Sequence, residues 1–550
     1  MAEEFFELFK TPWELYRPEQ TYEVVIATTD DVPEIVTKLL LICGSTRKNI
    51  DVRMGFALSQ RYAGATLNAE QTALPIYGEV LTFSDNSKGT ACLKANSEAA
   101  GLRICSGDST VMRLGYDLFD EVGFLLSAGQ PVKYAHIPTL DFHIGILRNW
   151  ILAEGVPLLE IPPAPAGHSF AVCLTHDIDF AGIRNHKFDH SMWGFVYRAT
   201  LGSLRNFFLG RISVGRLLKS WRALASLPFV YLGWAKDFWE PFEWYMEAEK
   251  GLPATYFLIP FKGRAGKKVD GPHASWRAVA YDLGELSHSI ARLKAAGCEL
   301  GVHGIDAWHS AADGREERAR IEQVAGTSCT GIRMHWLLHD GNTFSVLEES
   351  GYTYDSTVGY NEAIGYRAGT GQVFRPLGAE RLLELPVHIQ DGALFYPNRM
   401  DLSEAEAQTC CHALMQNAKD SGGVLTMIWH DRSHGPERFW GDFYRMLLGK
   451  LRSASAWFAT ASQAVSWFEK RRQVRFERVL TANGVQVQPR YDGPEVWPPF
   501  KIRVYTPATV RSAQLTSSFA DILWKGDPRE GLASHLPVVL STANAGQALS

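Results

Sequence analysis

Four short stretches of this 550-residue chain carry side chains able to bind a divalent ion or move protons: Thr175-His176-Asp177-Ile178-Asp179, His303-Gly304-Ile305-Asp306-Ala307-Trp308-His309, Arg333-Met334-His335-Trp336 and Trp429-His430-Asp431-Arg432. Asp177 and Asp179 are two apart, so in an extended chain both point to one side and can converge on an ion or a water. A turn or helix-capping pair is the plain alternative at that spacing. His303 and His309 are six apart, which fits neither one helix face nor the HExxH pattern. Both reach one ion only if the loop turns back, and Gly304 permits such a turn. Arg333, in a buried strand, requires a carboxylate partner. Alone, each of these residues, His430 included, is as readily structural. Together they supply two imidazoles and a carboxylate for a metal, with a spare carboxylate, an arginine and a third histidine. A divalent ion so bound keeps positions open for water and substrate. It makes the water more acidic and polarises an amide carbonyl. The second carboxylate can take the proton of that water, and the remaining histidine can protonate the departing amine. An arginine beside the base holds it ionised and oriented.

These stretches end short apolar runs, and the runs must position them. The runs are Phe170–Leu174, Ala254–Ile259, Glu299–Val302, Gly331–Met334, Tyr352–Tyr354, Leu382–Val387 and Val424–Ile428, separated by helix-length segments. Continuous apolar strands alternating with helices predict a parallel sheet covered on both faces. Seven of them over some 300 residues predict a closed or nearly closed (β/α) barrel, with a doubly wound sheet as the alternative. Barrel active sites gather at the C-terminal ends of the strands, where all four stretches fall. The proline-rich Ile161–Gly167 marks a boundary. Residues 1–160 read as an N-terminal α/β domain, with a strand at Tyr22–Ala27 and a helix over Tyr116–Gly129, where Leu118, Phe119, Val122, Leu125 and Leu126 follow helical spacing. Residues 475–550 read as a small β-rich appendage with a strand at Lys501–Tyr505 and a loose C-terminus.

Composition bounds the rest. With 46% hydrophobic and 21% charged residues the chain is a folded globular protein. Its net charge of −5 gives no reason to expect nucleic acid. Eight scattered cysteines without a CxxC pair suit free thiols in a reducing compartment. The N-terminus lacks a signal-peptide apolar region, and no apolar run approaches the ~18 residues that span a bilayer. A cytoplasmic protein, able to touch a membrane surface, is expected. One insertion stands out, at 181–250. Its residues 184–222 hold eight Lys/Arg against Asp189, and Trp193, Tyr197, Leu201, Leu204 and Phe208 follow helical spacing, with Arg198 and Arg205 off that face. Leu217, Trp221 and Leu224 repeat the pattern beside Arg216, Lys219 and Arg222. This is either a helical pair packed on the barrel or a basic element that meets anionic lipid and places the site against a lipid-linked sugar.

The ordered set Thr175–Asp179, His303–His309, Gly331–Arg333 and Trp429–Asp431 resembles the motif pattern of polysaccharide deacetylases, the NodB-like carbohydrate esterase family four, and Ala254–Phe257 resembles that family's second strand. The resemblance covers roughly 168–470. It implies an irregular (β/α)7-type barrel and one divalent metal ion, foremost zinc. By resemblance Asp177 is the general base, Asp179, His303 and His309 bind the metal, Arg333 orients the base and His430 is the general acid. The implied substrate is an N-acetylated amino sugar, in a glycan or a lipid- or nucleotide-linked precursor. The chain departs from the family in three places. Ile178 separates the two aspartates, so the base and ligand roles can be exchanged. The histidine interval is six rather than four, which makes His335 and Asp306 alternatives to His309. The fourth motif is indistinct, and Asp391 is the candidate partner of His430. Three other classes compete: another amidase on the same barrel acting on ureides or formamides, a glycosyltransferase using Asp177-Ile178-Asp179 to hold a nucleotide sugar through manganese, and a non-catalytic glycan-binding descendant.

Overall fold

Short runs of apolar residues become parallel strands when helices cover both faces of the sheet. A computed structural model describes residues 1–32, 34–69, 72–268, 277–481, 484–507, 518–526 and 538–540. The chain divides into two units, one of residues 1–166, 368–370 and 467–550, the other of residues 167–367 and 371–466. The second unit holds the parallel sheet. Its strands are β1 (Ala171–Ile178), β2 (Thr255–Leu258), β3 (Glu299–Gly304), β4 (Gly331–Met334), β5 (Tyr354–Asp355), β6 (Leu383–Glu384), β7 (Ile389–Gln390), β8 (Val424–Ile428) and β9 (Trp457–Ala459). The order is β6-β5-β4-β3-β2-β1-β8-β7, and no ladder joins β6 to β7 among the described residues, so the sheet is an open arc. Every apolar run read from the sequence contributes one of these strands. The two others, β7 and β9, have two and three residues, too short to show a pattern.

β1 is the hub. β8 pairs with its residues 171–175 along one side. On the other side β9 takes residues 171–173 and β2 takes residues 175–178. The register then fixes what shares a level. Ile178, Leu258, Val302 and Ile332 lie in one row, so Asp179, His303 and Arg333 fall in the next.

The insertion is helical. Residues 190–208 form one helix, interrupted by a π turn at Arg198–Gly202, and Val214–Tyr231 form a second. Met192, Phe195 and Ala199 pack with Leu227, Val230 and Trp239 in a buried cluster. Trp193, Tyr197, Leu201, Leu204 and Phe208 all point to solvent, with Phe208 77% exposed. The spacing seen in the sequence is therefore real, but it marks the outward face.

In the other unit, Val24–Ala27, Leu39–Cys43 and Ser109–Leu114 run parallel and continue into four antiparallel strands. The helix of this region spans Leu118–Leu125, capped by Asp117. Phe500–Thr506 pairs antiparallel with Leu158–Glu160 and with Ser518–Trp524, and the buried Arg471 donates to the carbonyls of Leu8 and Ile161. The final residues, expected to be loose, lie outside the described ones. All eight cysteines are free.

Gly331 marks a tight point beneath the site. A Cβ there would lie 1.9–2.3 Å from ring and hydroxyl atoms of Tyr354, whose hydroxyl donates to Glu299 at 2.6 Å. Gly331→Ala should destabilise this unit by ~1–3 kcal/mol, the usual cost of overpacking, seen as a lower urea midpoint. An unchanged midpoint would mean that Tyr354 moves aside freely.

Candidate active site

Alternation along β1 sends Thr175, Asp177 and Asp179 to one side. His176 faces the other way, between the Trp429 carbonyl at 2.9 Å and the Glu249 carboxylate at 2.7 Å, and is structural. Arg333, fully buried, reaches back from β4 to this row. It donates to Asp177 Oδ1 and Thr175 Oγ1, each at 2.8 Å, and to the carbonyl and hydroxyl of Ser356, and lies over the Phe257 ring. The carboxylate that its burial demands is thus Asp177. The other oxygen of Asp177 stands 3.8 Å from His303 Nε2.

His303 Nδ1 lies 3.0 Å from the Arg333 carbonyl, which can only accept, so Nδ1 carries a proton and Nε2 is the atom turned to the aspartates. That Nε2 and Asp179 Oδ1 are buried without a hydrogen-bond partner. They are 3.4 Å apart, and His335 Nε2 is 3.7 Å from the same Asp179 oxygen. Asp179, His303 and His335 offer ligand atoms all within 4.8 Å of one another. Donors placed ~2.0–2.2 Å from a tetrahedral zinc stand roughly 3.4 Å from each other. The residues present therefore fit a divalent ion. Burial holds the His335 imidazole well below the usual histidine range, hence neutral. Burial raises Asp179, but His335 and His303 outweigh it and hold the carboxyl low and ionised. Neutral imidazoles and an ionised carboxylate are the forms a metal requires.

His309 does not join this group. Its Nε2 faces Asp306 Oδ1 at 3.4 Å, and its backbone N–H bonds the Asp306 carbonyl. The cause is Glu317, buried on the helix Ala311–Ala325, whose carboxylate accepts the Ile305 and Asp306 N–H groups and pins the loop after β3. The third place in this group is taken by His335, two residues beyond Arg333. The chain turns sharply there: Trp336 and Leu337 both adopt the left-handed conformation, and Arg277 holds the His335 carbonyl at 3.0 Å. His335 is one of the two alternatives to His309 that the sequence offered, and the two-residue rule that groups Asp177 with Asp179 also groups it with Arg333.

His430, two residues past β8, bonds Asp391 Oδ1 through Nδ1 at 2.6 Å, and its N–H bonds Oδ2 at 2.8 Å. Ser433 also donates to Asp391. Asp391 is therefore the partner the sequence suggested. Burial lowers the pKa of His430, but Asp391 and the more distant Asp179 and Asp177 raise it to about 10, so the imidazole is cationic at neutral pH. Asp431 has a structural part: it accepts the Phe180 and Ala181 N–H groups and shapes the turn after β1. A cleft of about 680 Å³ is lined by Asp177, Asp179, His303, His335 and His430, and also by Arg198 and Asp189 of the insertion.

His335→Ala should remove tightly bound zinc from purified protein, and His309→Ala should leave it. Equal metal content in the two variants, by elemental analysis, would return His309 to the ligand set.

No family profile and no curated protein matches the chain. Among solved structures it is similar to a protein of Mycobacterium smegmatis assigned as a polysaccharide deacetylase, with 19% identity over 56% of this chain and 95% of that one, at a TM-score of 0.34. The allantoinase PuuE follows at 13% identity, covering 56% of this chain and 93% of that one, also at 0.34. A family 4 acetyl xylan esterase from Clostridium thermocellum, in complex with cobalt, shows 12% identity over 54% and 90% at a TM-score of 0.24. Scores this low carry no argument about chemistry, which rests on the residues above.

Proposed function

We propose that this protein is a hydrolase that removes an N-acyl group, acetyl foremost, from an amino sugar in a glycan or in a lipid- or nucleotide-linked precursor. One observation carries the reading. A single cleft holds a carboxylate fixed by a buried arginine, an imidazole fixed by a buried aspartate, and three further donors at metal spacing. Asp179, His303 and His335 would hold the ion, with zinc foremost. When bound, it supplies a Lewis acid that polarises the acyl carbonyl and sharpens water as a nucleophile.

The remaining steps belong to the chain. Asp177 takes a proton from the attacking water; Arg333 keeps that carboxylate ionised and aimed. As the carbon–nitrogen bond breaks, His430 gives its proton to the departing amine, and Asp391 stabilises the imidazolium beforehand. Each of these transfers is worth ~10²–10⁴ in rate. Wild type loaded with zinc should release acetate from acetylated amino sugars. Asp177→Asn should keep the metal and lose ~10²–10⁴ of that rate. No acetate from a panel of free, oligomeric and nucleotide-linked acetylated amino sugars would defeat the reading. Loss of metal in Asp177→Asn, with retention in Asp179→Asn, would exchange their roles.

We also propose an anionic membrane surface as partner of the insertion. The 190–208 helix buries one apolar side in its own cluster and turns a second, Trp193 to Phe208, to solvent. Arg205, Lys219 and Arg222 are exposed on the helical pair. Arg216 is engaged with Glu404 and Asp442, so it is not one of the free cations. The protein should sediment with phosphatidylserine vesicles more than with phosphatidylcholine ones, and less as salt rises. Trp193→Ser with Phe208→Ser should abolish this; equal recovery with both vesicle types would refute the partner.

A further inference from the structure

Several positive charges on one wall of the cleft have no role in the steps above. Arg198 opens the π turn of the 190–208 helix, and its Nε and Nη2 are enclosed without a hydrogen-bond acceptor. π turns within helices are frequent at functional sites. Arg432 lies flat on Phe180, 3.7 Å from the ring centre, and its Nη2 is 3.5 Å from the Tyr396 hydroxyl. Arg438, buried, stacks between Tyr396 and Trp440, and Arg399 lies over Tyr396 at 5.3 Å. Against these guanidinium groups stands the buried carboxylate of Glu437, 3.9 Å from Arg198 and 3.7 Å from Arg438. Burial, together with Arg438 and Arg432, pulls Arg198 down to about 10. Burial raises Tyr396, yet Arg438, Arg432 and His430 outweigh it and bring the phenol down to about 7. The Tyr396 shift reflects the guanidinium groups gathered around the phenol.

Arginines stacked on rings present a rigid fork of donors, the geometry that fits carboxylate and phosphate oxygens. Arg198, Arg432, Arg399 and Tyr396 line the same cleft as Asp177 and His430. Arg432 also lies in the His430–Ser433 turn whose ends are tied to Asp391, so the charged wall adjoins the proton donor. We propose that this wall is a subsite for an oxyanion, a phosphate or a carboxylate, carried by the acylated sugar and gripped by Arg198 and Arg432 with Tyr396. The proposal rests on the N-deacylase reading for its sugar, though not for its anion. Substrates would therefore be acidic amino sugars rather than neutral glycan chains, and the insertion would select them through Arg198.

Calorimetric titration of the full chain tests this without turnover. The probes are N-acetylglucosamine, its 1- and 6-phosphates, and N-acetylmuramic acid as the carboxylate arm. Each is run on zinc-loaded protein and again after chelation, so that phosphate contact with the metal is told apart. At least one anionic probe should bind ~10-fold or more tighter than the neutral sugar, the scale of one charge-assisted contact. The phosphate and carboxylate arms then identify the anion. Arg198→Gln and Arg432→Gln should each remove most of that preference while retaining zinc and an unchanged melting transition, and Arg198→Lys should restore part of it. Equal affinities for all probes, no binding by any, or a full preference in Arg198→Gln would overturn the subsite. Absence of acetate release beside a clear anion preference would defeat the deacylase reading and leave the subsite standing.

Discussion

A fully buried guanidinium governs this architecture. Arg333 is fully buried, and its cost is met because Asp177 and Thr175 of β1 and Ser356, just after β5, converge on it. That requirement locks β4 and β1 to each other through side chains, although β2 and β3 lie between them. It also sets the two aspartates apart. Asp177 is committed to Arg333 through one oxygen, and its other oxygen stands 3.8 Å from His303 Nε2. Asp179, one level higher, faces His303 and His335 with an oxygen that nothing else occupies. The different settings of the two aspartates follow from one ion pair.

Much of this was legible in the residues. Apolar runs of three to six residues betrayed the strands, because both faces of a parallel sheet must be covered. The same logic exposed Asp177, Asp179, His303, Arg333 and His430, which share strand ends. What failed to show was what depends on partners far away in sequence. The His309 assignment assumed that a loop with a glycine could turn back, yet Glu317 commits that loop elsewhere. His335 needed two left-handed residues after it, and Trp336 and Leu337 are not types that announce such a turn. Side-chain periodicity in the insertion was read correctly, but periodicity alone does not say which side faces the fold.

Two kinds of polar burial coexist around the cleft. Asp391, Arg333 and Glu317 are buried with their hydrogen bonds satisfied, and such groups rigidify what they touch. Asp179, His303 and Arg198 are buried with atoms left over. Leftover donors and acceptors are rare in folded proteins because each costs free energy. Asp179, His303, His335 and Arg198 share the cleft, while other such atoms are scattered through the described residues.

The crowding of β1 has a consequence for how the protein is made. Its first residues pair with Val424–Ile428 and Trp457–Ala459, so Ala171 and Trp457 meet across most of the chain. At ~5–20 residues per second of synthesis, on the order of tens of seconds pass between the emergence of this strand and of its last neighbour. Throughout that interval the strand bearing both aspartates keeps an unpaired apolar edge. Contacts so distant in sequence form slowly, and unpaired edges invite association. The strand that carries Asp177 is therefore also the one that waits longest for its last neighbour.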